Sequence, residues 1–201
     1  AAGIAAVYHF SGDLPDNRAL EAYVPPITTR LHAANGELIA EYAIENRVFV
    51  PIEEIPPLVK NAFLAAEDSN FYQHRGLDFR GVLRAAITNI RNIGTDRRLV
   101  GGSTITQQVA KNFSLSGEVS YERKIKEAIL AFRIERAMPK DRILELYLNE
   151  IYLGAGAYGV AAASMRYFDK ALDELNPEEI AYLAGLPKAP STYHPVRNRE
   201  D

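Results

Sequence analysis

Cysteine is absent from this 201-residue chain, and its absence excludes disulfide bonds and thiolate metal sites. Both cytosolic and exported locations remain compatible with that composition. An excess of positive charge is also missing, because the formal net charge at pH 7 is −3. No global basic field therefore favours nucleic acid, and any phosphate contact must come from a local basic cluster.

Long apolar runs are missing as well. Residues 1–10 are mostly apolar but fall short of the about 20 residues that cross a bilayer. We interpret residues 1–24 as the remnant of a membrane anchor with its linker, while a frayed terminus or a domain-packing segment are alternatives. Charged residues interrupt every later apolar stretch, so the rest of the chain is expected to be soluble or peripheral.

The residues before Pro56 carry signals of β structure. Positions 28–33 and 37–44 alternate around Asn35-Gly36, which predicts a hairpin with a type I′ turn. Positions 47–50 are predicted to add a short strand. We therefore assign residues 25–55 to a small β segment.

After Pro56 the apolar period becomes helical, which predicts a mainly α fold. Caps and prolines mark the helix starts, and the first of these helices is predicted to end at Glu67. One helix, over residues 120–136, has apolar residues at i, i+4, i+7, i+8 and i+11, so we expect that stripe to be buried. The stripe consists of Tyr121, Ile125, Ala128, Ile129 and Phe132.

A first polar motif surrounds Glu67, which follows an apolar run and is followed by Asp68, His74 and Gly76. Burial raises the pKa of a carboxylate, so Glu67 is a candidate general base for a sugar hydroxyl. The alternative is a helix-end acid with ordinary solvation. His74 is interpreted as a structural hydrogen-bonding residue that fixes the loop, since nothing near it suggests a catalytic triad.

A second motif gathers hydroxyls and amides at a predicted helix start, where free backbone N–H groups attract anions. Lys111 follows one turn after the first amide, so both are expected to face one ligand. The alternative is ordinary N-terminal capping. The candidate ligand-binding residues here are Ser103, Thr104, Thr106, Gln107, Gln108 and Lys111.

Third and fourth motifs supply cations and a second carboxylate. Arg123 and Lys124 precede Glu127, and this local cluster suits a pyrophosphate leaving group, unless Arg123 and Glu127 merely form a surface pair. Farther on, Arg142 and Glu145 share a helix face with Asn149. If the fold brings Glu145 beside Glu67, one carboxylate serves as base while the other orients cations or a divalent ion; the alternative is a surface Arg142–Glu145 pair.

Together the motifs resemble a known family. The pattern E-D-x-x-F-x-x-H-x-G, then G-G-S-T-I-T-Q-Q, R-K-x-x-E and K-x-x-I-L-E-x-Y-L-N, is similar to the peptidoglycan glycosyltransferases of glycosyltransferase family 51. Residues 152–160 resemble the closing motif, although Asp169 stands where members more often carry glycine. The resemblance covers residues 56–195 as the glycosyltransferase domain and leaves 196–201 as a polar tail.

The resemblance implies a lysozyme-like, two-lobed α fold and an enzyme that polymerises lipid II into β-1,4-linked glycan strands. By that resemblance Glu67 deprotonates the acceptor 4-hydroxyl, the donor anomeric carbon is inverted, and Arg123, Lys124 and Arg142 steady the departing undecaprenyl pyrophosphate. It implies no obligatory cofactor, with Mg²⁺ or Mn²⁺ as an option at the pyrophosphate.

The same resemblance implies that the protein binds moenomycin-class inhibitors and lies at the outer face of the bacterial cytoplasmic membrane. It implies no nucleic-acid partner. Residues 25–36 further resemble the lead-in of class A penicillin-binding proteins, yet the 201 residues contain no S-x-x-K or K-T-G string, so penicillin is not expected to acylate them. Membrane contact is expected from a missing anchor and a small apolar surface near Phe113 and Leu115.

Two other classes of function remain as alternatives. A lysozyme-like hydrolase also uses an acidic glutamate, but it acts on neutral glycosidic bonds and gains little from Lys111, Arg123 and Lys124. A catalytically silent wall-binding module is expected to have lost Glu67 or Glu145, and both are present.

Overall fold

Seven α-helices form most of the secondary structure among the residues that the computed structural model describes. These are 46–94, 101–113 and 120–190, the strand segments 29–32 and 38–42, and positions 10, 12, 14, 15, 20 and 23. The predicted mainly α class is confirmed. The helices are α1 Pro57–Glu67, α2 Phe79–Arg91, α3 Ile105–Phe113, α4 Tyr121–Ala137, α5 Lys140–Glu150, α6 Val160–Phe168 and α7 Pro177–Gly185.

Two short strand pairs complete the described elements. Strand β1 (Thr29–His32) is antiparallel to β2 (Leu38–Tyr42), as the hairpin prediction requires, while the Asn35-Gly36 turn lies outside the described residues. Strand β3 (Asn46–Arg47) is instead parallel to β4 (Ala157–Tyr158).

The strand predicted over positions 47–50 is too long. It ends at Arg47, and it cannot include Val50, because the side-chain amide of Asn149 occupies both backbone groups of that residue: Oδ1 accepts from the N–H and Nδ2 donates to the C=O, each at 2.8 Å. A strand ladder cannot use groups that are already bonded.

The chain divides into two compact units, each made of two stretches of sequence. Unit 1 contains residues 1–23 and 68–143, and unit 2 contains residues 24–67 and 144–201. The region predicted as one catalytic domain, residues 56–195, contributes to both. The sequential domain boundaries proposed from the sequence stay predictions.

The core of unit 1 forms where α3 contacts α4. Ile105, Val109 and Ala110 of α3 are buried, as are Leu130 and Ile134 of α4. Ile105 and Val109 are four residues apart, as are Leu130 and Ile134, so each helix buries one stripe. Ser120 caps α4 by accepting a hydrogen bond from the backbone N–H of Arg123.

The sequence analysis predicted the wrong face of α4 to be buried. Tyr121 is 93% exposed, and Ile125 and Phe132 are also exposed. The buried stripe is Glu127, Leu130, Ala131 and Ile134, which includes a carboxylate that hydropathy alone assigns to solvent. Glu127 is tolerated there because two cations accompany it, as described below.

Unit 2 is built on α1, α7 and the later residues of α5. Val59 and Phe63 of α1 are buried, and the Phe63 ring meets that of Tyr147 edge-on at 6.3 Å. Asn176 and Glu179 form the predicted capping box at the start of α7. Asp169 ends α6 with φ of 54°, a left-handed conformation that explains why glycine suits this position.

Candidate functional site

Asp68 organises the first motif from inside unit 1. Its buried carboxylate contacts Nε2 of His74 at 2.9 and 3.0 Å and accepts a hydrogen bond from the backbone N–H of Ile105 at 3.0 Å. The loop that follows α1 is thereby fastened to the first residue of α3. This geometry gives His74 the loop-fixing role predicted for it.

Gly76 lets this loop approach α4 closely. Its φ is +92°, and a Cβ there would lie 3.0 Å from the carbonyl carbon and oxygen of Ala131. Its own carbonyl accepts a hydrogen bond of 2.6 Å from the hydroxyl of Thr104. Any side chain at this position would push the loop away from the helix.

The hydroxyls of the second motif are used inside the fold. Thr104 donates to Gly76 and accepts from the backbone N–H of Gln107, whose side chain accepts from the Thr104 N–H in return. Thr106 is fully buried and donates to Oε1 of Glu135 at 2.6 Å. Both threonines therefore stabilise the start of α3, and their direct contact with substrate stays a prediction.

Ser103, Gln107, Gln108 and Lys111 occupy less enclosed positions. Ser103 and both glutamines are half-buried, and Lys111 is exposed. These four residues remain accessible to a ligand of unit 1 in a way that Thr104 and Thr106 are not.

The third motif forms a compact charge cluster. The carboxylate of Glu127 is 1% exposed; one oxygen lies 3.1 Å from Nε of Arg123 and the other 2.7 Å from Nζ of Lys124. Lys124 is 53% exposed, and its Nζ lies 3.5 Å from Oγ of Ser103. Two cations around one carboxylate leave a net charge of +1. The cluster is therefore more than the surface pair of Arg123 and Glu127 that the sequence offered as an alternative.

A second ion pair, which the sequence reasoning missed, supports the same region. Oε1 of Glu135 accepts from Thr106 and from Nζ of Lys140 at 2.7 Å, and that ammonium lies 4.2 Å from the centre of the Phe71 ring. The pair ties α3, α4 and the first motif together. The sequence gives one indication of this ion pair, which is that Lys140 belongs to the fourth motif. No sequence pattern identifies Glu135.

Side chains of the fourth motif form hydrogen bonds in both units. Within unit 1, Nη2 of Arg142 donates to the carbonyl of Tyr23 at 3.1 Å. Within unit 2, Glu145 and Asn149 are buried, and Oε2 of Glu145 accepts from the backbone N–H of Ile52 at 2.8 Å. The polar face predicted for α5 is therefore buried, and Glu145 and Asn149 hold the segment that leads into α1.

Glu67 is the last residue of α1, as predicted, and it is half-buried in unit 2. Asp68, the next residue, begins the second stretch of unit 1. Glu67 and Glu145 belong to the same unit, whereas Arg123 and Lys124 belong to the other. The pocket of cations expected to face Glu67 stays a prediction.

The described part of the chain lacks two features, a cluster of metal-ligating side chains and a membrane-spanning helix. It contains no group of three or more His, Asp or Glu side chains placed to hold a metal ion, and the divalent cation stays a prediction. No helix in it has the length and apolarity needed to cross a membrane. Phe113, near which membrane contact was expected, packs its ring against Tyr23 at 4.4 Å, and Leu115 lies outside the described residues.

Comparison with known proteins gives concordant matches. A family model described as Transglycosylase matches residues 35–201. Penicillin-binding protein 1A of Rickettsia bellii is 55% identical over 192 residues, covering 96% of this chain and 24% of the relative. Penicillin-binding protein 1A of Aquifex aeolicus is 50% identical over 188 residues, covering 94% of this chain and 26% of the relative.

A crystal structure of penicillin-binding protein 1A from Haemophilus influenzae is 27% identical, with a TM-score of 0.44, over 89% of this chain and 17% of that one. The chain spans about a quarter of the length of the curated relatives that it matches.

Proposed function

Since this chain belongs to the transglycosylase family, we propose that it is a peptidoglycan glycosyltransferase that polymerises lipid II into β-1,4-linked glycan strands. The donor is a growing strand on undecaprenyl pyrophosphate, and the acceptor is lipid II. The reaction inverts the donor anomeric carbon and releases undecaprenyl pyrophosphate. The single observation that carries this proposal is the charge cluster of Arg123, Lys124 and Glu127.

The charge cluster suits a pyrophosphate leaving group. Glu127 fixes both cations from a buried position, so their side chains are held in place before the substrate arrives. Lys124 remains half-exposed beside the Ser103 hydroxyl, and together they offer a charged and a neutral donor to one phosphate. Preorganised cations of this kind stabilise the negative charge that develops on the leaving group.

Glu67 is proposed as the general base. Its carboxylate takes the proton of the acceptor 4-hydroxyl while that oxygen forms a bond to the donor anomeric carbon, and the bond to the diphosphate oxygen breaks. Its position at the end of α1 supports this role, because the helix is anchored by the buried Val59 and Phe63. Ile52, just before α1, is held by Glu145, which favours Glu145 as a positioning residue rather than a second catalytic acid.

We propose that the enzyme works at the outer face of the cytoplasmic membrane and that α2 contributes to its membrane contact. Phe79, Val82, Leu83, Ile87 and Ile90 are all exposed on this helix, at spacings that place them on one face. Arg80, Arg84 and Arg91 lie beside that face. An apolar face flanked by arginines is typical of a helix that lies in the membrane interface.

Glu67→Gln is the first test, with lipid II in detergent as substrate. Loss of the base is expected to lower the rate of polymer formation by at least about 100-fold, since general base catalysis contributes about 10²–10⁴-fold. Glu54→Gln, an exposed carboxylate of the same unit, is the matched control and should polymerise normally. Full activity of Glu67→Gln, or shortening of preformed glycan strands without polymer, would contradict the proposal.

Lys124→Met tests the charge cluster itself. Loss of the ammonium should lower kcat for polymerisation by about 10- to 100-fold and should weaken binding of a moenomycin-class phosphoglycolipid, since one charged donor is removed. Lys126→Met is the control, because Lys126 lies on the same helix but pairs with Glu122. Equal effects of the two variants would mean that only the general charge of α4 matters.

A further inference from the structure

An open cavity of about 460 Å³ lies in unit 1, at the N-terminal end of α2. Its volume falls in the range of small-molecule sites. Of the candidate site residues identified from the sequence, only His74, which fixes the loop after α1, lines it. The lining also includes Asn70, Gln73, Arg75, Leu77, Asp78, Phe79, Arg80 and Phe132.

The polar groups of this cavity favour a singly charged anion. Arg75 and Arg80 have no hydrogen-bond or ion-pair partner for their side chains among the described residues, and neither does the amide of Gln73. Asp78 is already engaged by Nδ2 of Asn70 at 3.0 Å and by the backbone N–H of Arg80 at 3.0 Å. Two guanidinium groups and one carboxylate leave one positive charge, which one phosphate diester would neutralise.

The apolar walls of the cavity continue into exposed apolar surface. Phe79 is 71% exposed and begins the apolar face of α2, while Phe132 is 43% exposed and belongs to the α4 stripe that also contains Tyr121 and Ile125. The cavity is therefore bordered by apolar groups from two helices. A ligand with a charged headgroup and attached acyl chains matches this combination better than a free ion does.

We propose that this cavity binds the headgroup of phosphatidylglycerol, an anionic glycerophospholipid, with its phosphate diester at Arg75 and Arg80 and the free hydroxyls of its headgroup glycerol at the amide of Gln73. The proposal rests on the proposed membrane location and adds a specific lipid contact to it. Free inorganic phosphate shares the same charge chemistry, so the test separates the two sources.

The chain contains no tryptophan, so a single Phe132→Trp substitution gives a fluorescent reporter within the cavity lining. Dihexanoyl phosphatidylglycerol, kept below its micelle concentration, should change the tryptophan fluorescence saturably. Dihexanoyl phosphatidylcholine and inorganic phosphate, over the same concentrations, should not. Phe79→Trp provides a second reporter in case the first substitution disturbs the fold.

The combined change Arg75→Gln and Arg80→Gln, made in the reporter chain, should weaken phosphatidylglycerol binding about 10- to 30-fold, since each basic residue contributes several-fold to anionic-lipid affinity. Arg136→Gln with Arg166→Gln is the matched control. It removes two exposed arginine charges that lie outside both α2 and the cavity lining, and it should leave the affinity unchanged.

Three results would overturn the cavity assignment: no saturable signal from either reporter, equal responses to phosphatidylcholine or phosphate, or equal losses from the two arginine pairs. If any of them occurs while the parent chain still polymerises lipid II and binds vesicles, the proposed function stands and only the lipid site fails. Full polymerisation by Glu67→Gln would instead contradict the proposed function, and that outcome does not depend on this cavity.

Discussion

At the residue scale, the motif side chains separate into those that build the fold and those left for a ligand. Thr104, Thr106 and Asp68 are buried and bonded internally, whereas Ser103, just before α3, and Lys124 of α4 lie close together and keep exposed surface. Residue type did not distinguish the two groups, because a hydroxyl or carboxylate can serve either purpose. Burial and hydrogen-bond partners do.

Asp78 gives a prediction about pH. The backbone N–H of Gly81 and then the amide of Asn70 hold its pKa below the ordinary value of 3.8. The carboxylate therefore contributes stability above pH 3.8 that is lost as the pH falls through the lower folded-state pKa. In urea unfolding, Asp78→Asn should be less stable than the parent near neutral pH and should approach it at the lowest pH.

The exposed Asp173→Asn variant is the control for the charge change and should follow the parent at every pH. A constant stability difference for Asp78→Asn across the range would show that the titration of Asp78 is not responsible.

At the scale of elements, the helix caps and the end of α1 followed the sequence, but the buried face of α4 did not. Asp78 caps α2, Asn176 and Glu179 cap α7, and α1 ends at Glu67 as expected. On α4, Tyr121, Ile125 and Phe132 of the predicted apolar stripe are exposed. Hydropathy assigned Glu127 to solvent, whereas its pairing with two cations lets the opposite stripe become the core.

Paired alanine substitutions test the orientation of α4. Leu130→Ala should lower the free energy of unfolding by about 2–5 kcal/mol, because Leu130 is fully buried and a cavity would remain. Ile125→Ala, on the exposed stripe, should change it by no more than about 0.5 kcal/mol. Chemical unfolding measures both, and a larger loss for Ile125→Ala would reverse the assignment.

At the scale of the whole molecule, two compact units each combine distant stretches of sequence. Unit 1 presents an apolar helix face with arginines beside it, although the net charge of the chain is −3. Local arrangement rather than overall charge therefore governs the proposed attraction to a membrane. The resemblance to the transglycosylases, stated from five ordered motifs, is confirmed by the family match.

Vesicle binding tests the α2 surface. Leu83→Glu combined with Ile90→Glu should lower partitioning onto vesicles of phosphatidylethanolamine and phosphatidylglycerol on the order of 100-fold, since two apolar side chains lose their burial. Added salt should weaken binding of the parent chain, because the arginine contribution is screened. Cosedimentation measures both effects.

Met165→Glu is the matched control, because Met165 is an exposed apolar residue of α6 in unit 2. If it reduces partitioning as strongly as the α2 double variant, membrane contact is not specific to α2.

The sequence by itself determined the mainly α class, the family and the order of the motifs, because capping, helical periodicity and motif spacing are local properties of the chain. Only the tertiary structure decided that Glu145 and Asn149 clamp residues 50–52, that Thr106 meets Glu135, and that α4 buries Glu127. The first two outcomes depend on partners that lie 29 to 99 positions away in sequence, and local pattern carries no information about such partners. The cations of Glu127 lie only three and four positions away, but its burial depends on the packing of α4 against α3.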